Sequence, residues 1–333
     1  MYTLHVGPEH AGHMIKTILQ RELRMSRRLQ RALIKSGVVK RNGRPARLID
    51  KAEAGDWLEV ALPQEASDIA PEPMPLDIRY EDDEILVVNK PPGILAHPSA
   101  HERSGSLLAG VLAYLQPHGQ VAHSVHRLDR DTSGLLMFAK TSHSHHLFDI
   151  ALREGAMHRA YLAIVYRAQD DVHTDAAGES STCLPGPWRT ISLPIGPNPA
   201  RPSRRLISAD GQPAITHYRV VGHSGGLAVL QIHLETGRTH QIRLHCAAMG
   251  MPLVGDTDYT WDYSIRPVVR PEPVAFPRQA LHAYQLTWTH PVQHTECKVQ
   301  AEPPEDMRHL WAAAGGDDGL WSRVTSLPLE KPV

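Results

Sequence analysis

This 333-residue chain carries only three cysteines, Cys183, Cys246 and Cys297. They are odd in number, widely spaced and without zinc-ligand spacing, which excludes a disulfide framework and suits a reducing compartment. No run approaches the ~18 apolar residues of a membrane span, and MYTLHVGPEH lacks the basic-then-apolar pattern of a secretory leader. A cytoplasmic globular protein without membrane association is expected. Net charge is also nearly absent, at −1. That small value hides an asymmetry: Met14 to Leu62 holds twelve Lys or Arg against five Asp or Glu, a balance of +7 that leaves −8 for the rest. A basic module beside a mildly acidic body points to a polyanion held at one end.

What is present begins with two short helices. Met14, Ile15, Ile18 and Leu19 fall at helical spacing over His13 to Arg21, and a second helix runs from an N-cap at Ser26 to a stop at Gly37. Val38 to Arg41, the Asn42-Gly43 turn and Trp57 to Leu62 predict a small sheet. Pro63, Pro71, Pro73 and Pro75 mark a stiff, extended linker. Beyond it, strands are expected at Leu76 to Tyr80, Ile85 to Asn89, Leu135 to Ala139, His158 to Tyr166, Thr216 to Val221, Leu227 to Glu235 and Tyr284 to Thr289. Helices are expected at Ser106 to Gln116, Thr141 to Gly155 and Thr239 to Met249. Between Asp170 and Pro213, rich in Gly, Pro and Ser, loops with strand pieces such as Ser192 to Ile195 are expected, and a partly disordered tail follows Pro303. The fold class is α+β, a large, mostly antiparallel mixed sheet flanked by helices and preceded by a small α/β unit.

Chemistry concentrates in Val125 to Lys140, VHRLDRDTSGLLMFAK, where a charged loop enters an apolar strand. Thr132, Ser133 and Gly134 can close a turn there, and Asp131 is expected to pair with a basic neighbour in the loop. A serine hydrolase built on Ser133 would need a G-x-S-x-G elbow, which is missing. A kinase reading of H-R-x-D lacks a preceding Gly-rich phosphate loop. His143, His146 and Asp149 recur on one helix face, but a metal site needs further ligands, and solvent-exposed histidines are expected instead.

H-R-L-D-x-D-T-S-G followed by an apolar run resembles the central motif of RluA-type pseudouridine synthases. PLDIRYEDDEILVVNKPPGILAHPS resembles the opening of their catalytic domain, and ETGRTHQIRLHCAAMGMPLVGD and RQALHA resemble two later motifs, in the family's order. SRRLQRALIKSGVVKRNGRPA…AGDWLEV resembles the S4 RNA-binding domain that precedes one branch of that family. The chain is therefore read as 1–62 S4-like, 63–75 linker, 76–304 catalytic and 305–333 tail.

The resemblance implies isomerisation of uridine to pseudouridine in structured RNA. The N1–C1′ bond breaks, the uracil rotates, C5 joins C1′ and the C5 proton leaves, with neither cofactor nor metal. Asp129 takes the catalytic position, Arg243 pairs with it to keep it ionised in a desolvated site, and Tyr161 packs on the uracil or removes the C5 proton. Arg127 fills the place of the flipped base. His126, Thr132 and Leu281 line the pocket. Arg27, Arg28, Arg31, Lys35, Arg41, Arg44 and Arg238 meet phosphates, which positions RNA without reading its sequence. Large-subunit ribosomal RNA is the expected partner, transfer RNA the alternative, and a non-catalytic ribosome-associated protein the reading that an intact Asp129, Tyr161 and Arg243 argue against. A monomer is expected.

Overall fold

The computed structural model describes residues 1–167, 185–266 and 270–327. Its first part is a four-stranded sheet with two helices. In chain order these are β1 (Tyr2–His5), α1 (Ile15–Glu22), α2 (Arg27–Ser36), β2 (Val38–Arg41), β3 (Arg44–Pro45) and β4 (Trp57–Ala61), with strand order β1-β4-β2-β3. The Ser26 hydroxyl caps α2 by accepting from the Leu29 amide at 3.2 Å. Asn42 and Gly43, both with positive φ (52° and 76°), form the tight turn their sequence implies. Ile15, Ile18, Leu19, Leu29, Leu33, Leu58 and Val60 form a core of their own. The strand β1 was not expected.

The larger part contains β5 (Ile78–Glu81), β6 (Ile85–Lys90), α3 (Leu107–Leu115), β7 (His123–Ser124), β8 (Ser133–Ala139), α4 (Ser142–Arg153) and β9 (Met157–Tyr166). It continues through β10 (Arg189–Ser192), β11 (Ile195–Pro197), β12 (Arg205–Ile207), β13 (Ile215–Ser224), β14 (Leu227–Leu234), α5 (Gln241–Ala248), β15 (Leu281–Thr289), β16 (Glu296–Gln300), α6 (Glu305–Ala313) and α7 (Gly319–Ser326). Ten strands form one mixed sheet, ordered β10-β13-β14-β9-β15-β8-β6-β5, with β16 added to β15 and β7 to β8. Every pairing in it is antiparallel except β15 with β8. That parallel contact is short, His282 opposite Ser133 and Ala283 opposite Gly134, after which β15 gives the same edge to β16. Gly134 (φ 113°) makes it possible, because a Cβ there would lie 2.3 Å from the Ala283 carbonyl oxygen. The loop 125–132 is thereby delivered to the start of β15.

One face of the sheet packs Leu86, Val88, Leu136 and Tyr161 under α3. The other packs Leu162, Ile164, Val229 and Tyr284 under α6 and α7, through Met307, Trp311, Trp321 and Val324. The segment after Pro303, expected to be partly disordered, is thus mostly two packed helices. Its apolar residues sit at helical spacing on either side of Gly315-Gly316, a break that obscures the pattern. Residues 328–333 lie outside the described residues, as do 168–184 with Cys183. The expected piece Ser192 to Ile195 is divided, since Leu193 and Pro194 separate β10 from β11 and proline cannot donate to a ladder.

Two further expectations change. The proline-rich stretch is extended but docked: Glu65 accepts from the Ser142 amide at the start of α4 (2.9 and 3.1 Å) and bonds His123 Nε2 (2.9 Å), and the Met74 side chain fills the space left by Gly110. His143 is not solvent-exposed. It is 2% exposed, edge-on to the Tyr2 ring at 5.1 Å, and Tyr2 donates to Glu84 at 2.8 Å. No helix among the described residues is long and apolar enough to cross a membrane.

Candidate active site

Between β7 and β8 the loop 125–132 forms one wall of a cleft of about 1070 Å³, large enough for a nucleotide and its flanking backbone. The loop is short and tied down at several points. The Met137 amide donates to His126 Nε2 (3.3 Å), and the Thr132 amide donates to the Asp129 carbonyl (3.2 Å). Two buried basic side chains then grip successive carbonyls. Lys90 Nζ donates to the oxygens of Arg130 (2.6 Å), Pro91 (2.9 Å) and Ile94 (2.9 Å), and Arg278 Nη1 donates to that of Asp131 (3.0 Å). Burial pulls the Lys90 amine down to about 7, against the opposing charges of Asp131 and Asp129. The expected ion pair inside the loop is not formed. Arg130 pairs with Glu102, because its exposed side chain turns away, and the Asp131 carboxylate has no hydrogen-bonding partner among the described residues.

Asp129 stands at the cleft floor, with its side chain a quarter exposed and one oxygen 3.4 Å from Arg243 Nη1. Arg243, on α5, is itself held by residues the sequence did not single out. Its Nε and Nη2 grip Asp256 at 2.6 and 2.8 Å, and Nη2 also reaches Asp258 at 3.1 Å. Burial works against its charge, but the fully buried Asp256 carboxylate outweighs that and holds the guanidinium pKa above its ordinary value. Its Cζ lies 5.1 Å from the Tyr259 ring centre. His240, in a left-handed conformation (φ 59°), bonds Tyr259 and places Nε2 4.0 Å from Asp129. Burial lowers the His240 pKa despite Asp129, so the imidazole leans toward its neutral form.

Tyr161 reaches the same cleft from β9, 4% exposed, its hydroxyl pKa raised by burial. Leu281, Thr132, His126, Arg127 and Arg238 also line it. Thr132 accepts from Gln279 at 3.3 Å. Arg127 is exposed at the rim and has no hydrogen-bond or ion-pair partner among the described residues. Ser133 does meet a histidine, His282 Nδ1 at 2.9 Å, but both are at most 2% exposed and His282 is fixed to the Ala301 carbonyl. That pair sits between strands, closed to substrate, which removes the hydrolase reading. The remaining basic residues lie on the small unit. Arg27, Arg28, Arg31, Lys35 and Arg44 are exposed and carry no ion pair among the described residues, whereas Arg41 is engaged by Asp56 at 2.5 Å.

Residues 84–248 match the family model described as RNA pseudouridylate synthase. A protein of Neisseria meningitidis named ribosomal large subunit pseudouridine synthase D is 34% identical over 97% of this chain and 84% of its own length. The chain belongs to the RluA-type RNA pseudouridine synthases. It is an isomerase of that class. A synthase D of Xylella fastidiosa is 36% identical over 86% of the chain and 84% of its own length. The Bacillus subtilis protein named uncharacterized RNA pseudouridine synthase YjbO is 36% identical over 77% and 83%. In fold, the pseudouridine synthase resembles human RNA pseudouridylate synthase domain containing 1, with a TM-score of 0.52 at 24% identity over 80% of this chain and all of the other.

Lys90, His240, Asp256, Asp258 and Arg278 are the synthase residues sequence reasoning passed over. Lys90 was visible only as the residue before a proline break. Asp256 and Asp258 follow Gly255 in a D-x-D turn, whose signal was the placement of two carboxylates just after the segment that carries Arg243.

Proposed function

We propose that this synthase isomerises uridines in large-subunit ribosomal RNA, with Asp129 as the catalytic group. One observation carries the reading: a cleft-floor aspartate 3.4 Å from a buried arginine that is anchored independently by Asp256. The carboxylate is then kept beside a fixed positive charge in a partly desolvated site, where it can attack the sugar or base or remove a sugar proton. Arg127, free at the rim, fills the stack vacated by the flipped uridine. Tyr161 packs on the uracil. Burial raises the pKa of its hydroxyl and so disfavours the phenolate, which favours ring packing over proton abstraction.

The exposed side chains of Arg27, Arg28, Arg31, Lys35 and Arg44, with Arg238 at the cleft, support an RNA-backbone role for residues 1–62 as an S4-like domain, ahead of a catalytic domain over 76–304. Ribosomal substrates are favoured by the names of the Neisseria and Xylella relatives, and a monomer acting in the cytoplasm suffices for the chemistry. Site-resolved pseudouridine mapping of cellular RNA with and without the protein tests the reading. Loss of modified positions in large-subunit ribosomal RNA is expected. Loss confined to transfer RNA would transfer the assignment to that substrate, and no loss anywhere would refute it.

A further inference from the structure

Arg159 precedes Tyr161 by two residues on β9, so both side chains leave the same face of the sheet, about 6.6 Å apart along the strand. It lines the cleft and is 6% exposed, yet it has no ion-pair partner among the described residues, and its Nε is buried without an acceptor. Its position is built. Gly237 leaves it room, since a Cβ there would lie 2.7 Å from Arg159 Nη1. Glu235, the nearest carboxylate in sequence to Gly237, is engaged by His217 at 2.7 Å.

His126, which also lines this cleft, carries a second orphaned donor. His126 Nε2 accepts from the Met137 amide, so the ring proton of the neutral form resides on Nδ1, which is buried without a partner. Burial, aided by the nearby Arg159 charge, pushes this histidine down to about 3 and keeps it neutral. Buried donors are normally satisfied, and an unpaired buried charge is costly unless a ligand completes it.

We infer that Arg159 and His126 form a subsite for a phosphodiester oxygen of the RNA strand that carries the target uridine. An anionic acceptor is favoured because Arg159 presents a fixed charge with no protein counter-ion among the described residues, and such a pair forms strong charge-assisted bonds once water is excluded. The base is left to Tyr161 and Leu281, while Arg159 holds the backbone beside it. This inference rests on the proposed RNA chemistry and adds the backbone contact to it.

The test compares wild type, Arg159→Met and Arg159→Lys on an unmodified large-subunit ribosomal RNA transcript. Single-turnover pseudouridine formation, RNA binding across a salt series and thermal melting of the free protein are measured. Arg159→Met should lower kcat/KM on the order of 30-fold or more. It should also reduce the log–log salt slope of binding by about 0.7, the value for one single-strand phosphate contact. Its melting temperature should hold or rise, because an unpaired buried charge has been removed. Arg159→Lys should restore the salt slope. An unchanged slope in Arg159→Met, which would point to a neutral base carbonyl, overturns the inference, as does a melting temperature that falls together with activity. A wild-type protein that binds the transcript without forming pseudouridine refutes the proposed activity instead, and the salt slopes still judge the subsite.

Discussion

Arg278 holds Asp306 through two hydrogen bonds, Nε to Oδ2 at 2.7 Å and Nη2 to Oδ1 at 2.9 Å, while its Nη1 donates to the Asp131 carbonyl two residues past Asp129. Through this pair, helix α6 helps set the path of the Asp129 loop. Asp306→Ala leaves a buried guanidinium short of its counter-charge, and a loss of about 1–3 kcal/mol is expected in denaturant unfolding. The single-turnover rate should fall more than RNA affinity does, and equal losses in both would argue against loop positioning.

Asp129→Asn should lower pseudouridine formation on the order of 10⁴-fold or more while RNA affinity stays near wild type. Gel-shift and product analysis on the same RNA check it. Retained activity in the Asp129→Asn variant sinks the catalytic assignment.

Asp256 is the anchor of the charge beside Asp129. Asp256→Asn should cost about 3 kcal/mol of stability, because Arg243 remains buried with a weaker partner. Misplacing that guanidinium by about an ångström should slow turnover about 10²-fold. Chemical denaturation together with rates on folded protein separates the two effects. A stable variant with full activity would show that Arg243 needs only Asp129 and Asp258.

Acid should destabilise the protein through its buried histidines. The ring of His143 is pushed down to about 4 by burial and then by the charge of His146, and burial likewise takes His282 to about 4. Their folded pKa values lie below the ordinary 6.5, so from there down to about pH 4 the unfolded chain binds more protons, and stability falls as pH falls. His143→Leu removes one such proton. The slope of stability against pH should flatten by about 1.4 kcal/mol per unit in that window. An unchanged slope in urea titrations would mean that His143 is not neutral in the fold.

Exchanging Arg27, Arg28, Arg31 and Lys35 for Gln should leave melting unchanged, since none carries an ion pair among the described residues. RNA binding should weaken, with the salt slope reduced by about 3 for four lost contacts. Substitution is a cleaner test than deleting residues before Leu76, because that deletion strips Glu65 from the start of α4. A salt slope equal to wild type would remove α2 from the RNA interface.

Local signals carried much of the fold. Ser26 and Gly37 bounded α2, Asn42-Gly43 bent the small sheet, and Thr141 opened α4, because caps and turns act within a few residues of themselves. The loop around Asp129 and its link to Arg243 were legible through motif resemblance alone, since no local rule says that α5 must face β8. What escaped reading depended on distant partners. The strand β1 exists because β4 offers it an edge, and Asp306 matters because the fold brings Arg278, 28 residues earlier, into direct contact with it. Asp256 counts only once α5 has turned Arg243 inward.

The grip of Lys90 and Arg278 on the carbonyls of Arg130 and Asp131 pins the Asp129 loop at two successive residues. On the proposed base-flipping reaction, a jaw held this way passes the work of adaptation to its substrate, and bulged or loop nucleotides are then expected to outcompete those in continuous helix.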